Sequence, residues 1–148
     1  GKYREYYIDG AIKNTIYSIG YSKITVPITF KAFVYDMKKY TTTVSRGLIK
    51  TIDNTGDVYA EPIYKIRGNG TLIFSVNGYN HTLKNAQGGY IINCRNKEQN
   101  VTDLQGNMKN VTSEYEGNYT LFNPGENRVQ LIQGDSLDIE VYWRNIDW

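Results

Sequence analysis

The chain has 148 residues, with seventeen basic and fifteen acidic side chains and a formal net charge of +2. This near balance gives no sign of the concentrated basic surface that nucleic-acid-binding proteins use, and no run of eighteen apolar residues suggests a membrane-spanning helix. A single cysteine, Cys94, excludes an intrachain disulfide. Fourteen tyrosines, fourteen glycines and only three prolines are typical of half-buried strands joined by tight turns, so the composition predicts an all-β protein.

The clearest alternation in the first quarter of the chain covers residues 24–35, where apolar positions recur with a period of two. This period predicts a strand, and Pro27, which has no N–H to donate, predicts an edge or a bulge within it. The alternation is lost over residues 36–47. We therefore interpret residues 38–47 as a linker.

The Asn77-Gly78 pair predicts a type I′ turn, because both residue types tolerate positive φ angles. It would join strands at residues 71–76 and 79–84 and place Phe74 opposite His81. Shorter strands are predicted at residues 48–53, 58–67, 90–95 and 109–113.

A final hairpin is predicted to join residues 128–133 to residues 136–144. Alternation along its second strand places Leu137, Ile139, Val141 and Trp143 inward, and Asp138, Glu140, Tyr142 and Arg144 outward. About ten short strands with regularly spaced turns predict an antiparallel β-sandwich.

The chain has few residues of the types that catalysis and metal binding require. His81 is the only histidine and Cys94 the only cysteine, so His81 is interpreted as a packed or rim residue and Cys94 as a buried thiol. Asp138 and Glu140 would lie about 7 Å apart on one strand face, which overlaps the carboxylate spacing of inverting glycosidases, although any acidic solvent face has this spacing. Residues 53–57 resemble a sparse calcium loop but lack the EF-hand glutamate and its spacing, which favours a plain turn.

Aromatic side chains provide the remaining functional signal. Phe33, Tyr35, Tyr142 and Trp148 lie on faces or ends that need not belong to the core. Exposed aromatic rings contact sugars or protein partners, which makes these four residues candidate interface or sugar-contact sites. Cross-strand aromatic pairing within the sheet is the alternative interpretation.

Four segments in order resemble the carboxy-terminal half of siphophage distal tail proteins: residues 68–78, 90–93, 122–127 and 139–144. The family has a strand ending in Asn-Gly, an Ile-x-Ile-Asp-like strand, a Pro-Gly-x-Asn turn and a last strand that ends in aromatic and basic residues. Residues 2–7 and 24–31 resemble the last strands of its amino-terminal domain. Asn93 departs from the pattern, since an aspartate is common there.

This resemblance implies a galectin-like or jelly-roll-like sandwich at residues 48–148, with an extra amino-terminal strand pair. Residues 1–37 would be the terminal strands of the family's ring-forming domain, most of which would lie outside this sequence. Family members form hexameric rings that join the tail tube to the tip or baseplate and can hold receptor-binding proteins. The resemblance implies a virion location, synthesis in the bacterial cytoplasm, no catalysis and no cofactor.

Three hypotheses follow for function. The first is a non-enzymatic structural component of a phage or prophage tail, with other tail proteins as partners. The second is a carbohydrate-binding module for host cell-wall glycans, and the third is a hydrolase fragment that uses Asp138 and Glu140.

Overall fold

The computed structural model describes residues 2–7, 31–36, 38–109 and 113–146, with the backbone alone for residues 2–7 and 31–33. These residues include no helix, and hence none long and apolar enough to cross a membrane. The strands, in chain order, are β1 (Lys2–Tyr7), β2 (Lys31–Asp36), β3 (Tyr40–Val44), β4 (Ile49–Asn54), β5 (Ile63–Arg67), β6 (Gly70–Val76), β7 (Tyr79–Ala86), β8 (Gly89–Asn93), β9 (Asn100–Asp103), β10 (Tyr115–Glu116), β11 (Gly125–Gln133), β12 (Ser136–Val141) and β13 (Arg144–Ile146).

Two five-stranded antiparallel sheets form a sandwich, which confirms the predicted fold class. Sheet I has the strand order β3-β12-β5-β8-β9, and sheet II has the order β10-β7-β6-β11-β4. A third, three-stranded sheet has the order β1-β2-β13. Two residues after the end of β12, the chain enters this small sheet as β13.

The core lies between sheets I and II and follows the period of two along each strand. In β12, Leu137, Ile139 and Val141 are buried while the residues between them are half-buried, as predicted. Side chains of this size each contribute about 1.5–3 kcal/mol when they are fully removed from water. The largest fully buried side chains come from both sheets and the loops between them: Tyr64, Tyr90, Phe74, Phe122, Ile52, Ile66, Leu72, Leu83, Ile92, Leu131, Leu137 and Ile139.

The predicted β6–β7 hairpin is confirmed in its turn and in its register. Asn77 and Gly78 have φ angles of 51° and 84°, in the left-handed region that a type I′ turn requires. Phe74 pairs with His81 across the strands. The turn chemistry therefore sets which side chains of this hairpin enter the core.

A buried amide, Asn127, connects this hairpin turn to the turn that precedes β11. Its Nδ2 donates to the carbonyl oxygens of Asn123 (2.8 Å) and Gly125 (2.9 Å), and its Oδ1 accepts from the Asn123 N–H (2.9 Å). The Asn77 Nδ2 also donates to Asn127 Oδ1 at 2.9 Å. Two segments about fifty residues apart are thus fixed to each other through one fully buried side chain.

The predicted linker at residues 38–47 is wrong in part, because it contains β3. This strand pairs with β12 along sheet I, with Val44 opposite Leu137. Val44 is the only residue of β3 that is buried, because the strand lies at a sheet edge and consists mainly of threonines. An edge strand that buries so little surface shows only a weak alternation of apolar residues in its sequence.

The other strand predictions differ from the structure mainly at their ends. The strand predicted at residues 58–67 begins only at Ile63, and residues 58 and 60 form isolated bridges. The polar stretch from 96 to 118 contains β9 and β10, whereas residues 110–112, at the centre of the strand predicted there, lie outside the described residues. The alternation at residues 24–30, including Pro27, also lies outside them.

The alternation predicted for residues 136–144 fails at its end. Trp143 and Arg144 are adjacent and both buried, with 7% and 4% of their surfaces exposed, whereas Arg144 was predicted to face outward. The strand breaks between β12 and β13, and β13 pairs with β2 rather than with sheet I. Residues 144–146 therefore belong to the three-stranded sheet and not to the sandwich that was predicted for residues 48–148. The division of the chain into domains stays a prediction.

Replacing Asn127 with alanine is expected to lower the free energy of unfolding by about 2–3 kcal/mol, since it leaves several buried donors and acceptors unpaired. Urea denaturation of Asn127→Ala measures this change. Asn123→Ala is the matched control, because the Asn123 side chain is exposed and the turn uses only its backbone groups. Equal losses for the two variants would contradict the role assigned to the Asn127 amide.

Candidate functional site

The structure describes three of the four aromatic residues that were predicted as interface or sugar contacts. Phe33 lies in β2 opposite Ile146, and Trp148 lies outside the described residues. Tyr35 is buried, with 7% of its surface exposed, so it presents no open ring to a partner. Tyr142 is half-buried at the break between β12 and β13, and it is the described candidate that lies nearest to an open surface.

Tyr35 instead packs against Arg144. The Arg144 guanidinium carbon lies 5.5 Å from the centre of the Tyr35 ring and 5.3 Å from that of Tyr59. Its Nη1 donates to Glu61 Oε1 at 2.8 Å, and the two side chains are only 5% and 10% exposed. A charge removed from water in this way needs both an opposite charge and polarisable neighbours, and this site provides both.

Backbone contacts around Arg144 join the three-stranded sheet to the sandwich. The Asp36 N–H of β2 donates to the Trp143 carbonyl (3.0 Å), and the Val58 N–H donates to the Arg144 carbonyl (3.3 Å). Gly56 approaches so closely that an added Cβ would lie 2.4 Å from the Arg144 carbonyl oxygen. We call this cluster of Tyr35, Gly56, Tyr59, Glu61 and Arg144 the junction.

Sequence analysis did not identify Glu61 or Tyr59 as members of the junction, and it placed Arg144 on the solvent face. This contact could not be predicted from local sequence patterns, because Glu61 and Arg144 are 83 residues apart in the chain. The sequence itself does not indicate the change of period, because an arginine directly after an inward-facing tryptophan is what continued alternation would also give.

His81 is packed inside the sandwich, as predicted. Its ring stacks on Phe74 with centroids 4.5 Å apart, and its Nδ1 lies 2.8 Å from the Tyr115 hydroxyl. That hydroxyl donates to the Asn118 carbonyl at 2.8 Å, so we assign the hydrogen of the imidazole to Nδ1. Nε2 is then the basic nitrogen, and among the described residues it has no hydrogen-bond partner. Burial lowers the pKa of His81 to about 4.

Cys94 is fully buried, and burial raises the pKa of its thiol. A thiol held in its neutral form is a poor nucleophile and a poor metal ligand. Within the described residues no three His, Cys, Asp or Glu side chains come together in a way that could hold a metal ion.

Asp138 and Glu140 lie on the outer face of sheet I, and each is ion-paired. Asp138 contacts Arg67 and accepts a hydrogen bond from Thr43 Oγ1 at 2.7 Å, whereas Glu140 pairs with Lys39 at 2.8 Å. Partial burial raises the pKa of Asp138, but the hydrogen bonds from Arg67 and Thr43 outweigh it and the net shift is downward. A general acid needs the opposite shift, so Asp138 is poorly suited to that role.

The turn at residues 53–57 is organised by Asn54 alone. This buried side chain accepts from the Gly56 N–H (3.0 Å) and donates to the Val58 carbonyl (3.0 Å). The amide is therefore occupied in shaping the turn, which favours the plain-turn interpretation over a calcium loop.

An open depression of about 360 Å³ lies where β3 begins and β12 ends. Lys38, Lys39, Tyr40, Thr41 and Trp143 line it. Tyr40 packs against Trp143 with ring centroids 5.2 Å apart. Four of the five lining residues fall in the segment that was predicted to be a linker, which is why sequence analysis did not identify this site.

No family model, no curated protein and no solved structure matches the chain. The assignment of function therefore depends on the geometry described above and on the resemblance of the motifs.

The buried His81 is expected to make stability depend on pH. Its pKa is about 4 in the folded protein and 6.5 in the unfolded chain, so between these values only the unfolded chain takes up the proton. The contribution of neutral His81 is complete above pH 6.5 and is lost as the pH falls toward 4, by about 1.4 kcal/mol per pH unit.

Urea denaturation of the wild type and of His81→Phe, at pH values between 7 and 4, gives the free energy of unfolding of each protein as a function of pH. The difference between the slopes of the two curves measures the contribution of His81. The variant is expected to lose less stability than the wild type over this range, by about 3 kcal/mol in total. Parallel curves for the two proteins would show that His81 does not titrate in this way.

Proposed function

We propose that this chain is a non-enzymatic structural component of a phage or prophage tail, a distal tail protein that joins the tail tube to the tip. The observation that carries the proposal is the junction, in which a buried ion pair beside two tyrosine rings links the three-stranded sheet to the sandwich. A connector of this kind needs two bodies fixed to each other, because load applied to one must reach the other.

The positions of the motifs support the same proposal. Residues 68–78 contain all of β6 and the turn after it, residues 90–93 lie in β8, and residues 139–144 cover the end of β12 and the start of β13. The motif at residues 122–127 meets the Asn77 turn through Asn127. The segments that carry the resemblance thus hold the sandwich together and lead into the junction.

The titratable groups considered for catalysis also support a structural role. His81 and Cys94 are enclosed in the core, and Asp138 and Glu140 are held in ion pairs on a sheet face. Each of these groups has a packing or pairing role that accounts for its place. A sandwich with rigid sheets and exposed polar faces offers docking surfaces to neighbouring tail proteins.

The three-stranded sheet is the part that we assign to the ring of the complete protein. β2 lies at its centre and β13, from the end of the sandwich, completes it. Ring assembly in the full-length protein would then set the position of the sandwich, because the junction links the two. The sandwich would project outward and meet tail-tip and receptor-binding proteins.

This proposal is tested by quantitative mass spectrometry of purified particles of the phage or prophage that encodes the chain. Peptides of the chain are expected in intact particles and in isolated tails, at the six copies per tail that one hexameric ring requires, and to be absent from tail-less heads. Immunogold labelling is expected at the distal end of the tail. If the chain is found only outside the particles, in the host lysate, the proposal is wrong.

A further inference from the structure

The depression at the start of β3 combines fixed aromatic walls with an open mouth. Trp143 is 7% exposed, and Tyr40, which packs against it, is half-buried. Tyr40 is held by sheet I, where it pairs with Val141, and Trp143 is held by its burial and by its contact with Tyr40. A site built on strands keeps its shape when it is empty, which lowers the entropic cost of binding.

Beside the depression lies a second aromatic residue with a basic partner. The Arg95 guanidinium carbon stands 5.6 Å from the centre of the Tyr142 ring. Lys39 interacts electrostatically with both Tyr142 and Arg95, which places all three in one neighbourhood. The predicted contact residue Tyr142 therefore flanks the depression.

Cations outnumber carboxylates around this site. Lys39 is paired with Glu140 at 2.8 Å, whereas Lys38 is exposed and makes no ion pair with any described residue. Arg95 adds a further positive charge at the flank. The residues that line the depression thus include two lysines and no carboxylate, and only one of these lysines is paired, with Glu140. The mouth of the depression therefore attracts an anionic group.

The geometry points to a subsite for an acidic saccharide, whose anionic group binds Lys38 while its sugar ring packs in the depression against Tyr40 and Trp143. The site lies beyond the structural role proposed above and does not depend on it. Its volume of about 360 Å³ is at the lower end of the range for small-ligand sites, which suits a sugar unit better than a folded protein segment. Thr41 supplies a hydroxyl at the wall for hydrogen bonding to the sugar.

Titration of the whole chain with trigalacturonate, followed by NMR chemical shifts, tests the subsite, with neutral maltotriose as the comparison ligand. Saturable shifts are expected at the amides of residues 38–41 and at the Trp143 indole, for trigalacturonate only. Added salt should weaken them, because the charged groups are exposed.

Substitutions at the mouth of the depression test whether its positive charges favour binding and its negative charge opposes binding. Lys38→Gln is expected to weaken binding about fivefold, as for one partly exposed charged contact. Glu140→Gln is expected to strengthen binding, because it removes the carboxylate that occupies Lys39. The control is Lys84→Gln, which removes a similarly exposed ion-paired lysine from sheet II and should leave the affinity unchanged.

Three results would overturn the subsite. The first is the absence of saturable shifts at residues 38–41 and Trp143. The second is an equal loss of affinity in Lys38→Gln and Lys84→Gln. The third is a tetraglutamate peptide that binds as tightly as trigalacturonate with the same shifts and the same dependence on Lys38. That result would assign the depression to an acidic peptide rather than to a saccharide.

Discussion

The position of the Arg144 guanidinium constrains the rest of the molecule. A fully buried arginine has a large desolvation cost, so it must have a carboxylate and favourable neighbours on every side. Glu61 supplies the carboxylate at 2.8 Å, and the guanidinium carbon lies 5.5 Å from the centre of the Tyr35 ring and 5.3 Å from that of the Tyr59 ring. Because these partners come from β2, from the loop before β5 and from β13, the site forms only when the three-stranded sheet has docked on the sandwich.

The same logic applies to the other buried polar side chains of the described residues. Asn54 shapes the turn after β4, Asn127 joins two turns, and His81 stacks in the core against Phe74. Each forms hydrogen bonds within the chain. Burying such groups specifies which turns and sheets meet, a role that suits a connector better than an enzyme.

Local chemistry was sufficient to predict much of the sandwich. The positive φ angles of Asn77 and Gly78 set the register of β6 and β7, and strict alternation in β12 identified its buried face. Both are nearest-neighbour effects that a sequence displays directly. β3 was missed because its three consecutive threonines carry no hydrophobic period, although tertiary pairing with β12 holds them in a strand.

The sites were less predictable, because they depend on contacts between distant segments. Arg144 was placed on the outer face by extending the period of β12 past the break at residues 142 and 143. Tyr35 was predicted as a candidate contact residue because the cation that packs against it lies more than a hundred residues away in the chain. The depression was missed together with β3, since residues 38–41 were read as part of a linker.

The central claim is that the buried Arg144 holds the three-stranded sheet and the sandwich together. Native-state hydrogen exchange of Arg144→Met tests it most directly, with Arg128→Met as the control for an exposed ion pair. The account predicts that amides of β2 and β13 lose about 3–5 kcal/mol of protection in Arg144→Met, while those in sheet II keep theirs and the control changes little. Unchanged protection in β2 and β13 would contradict the account.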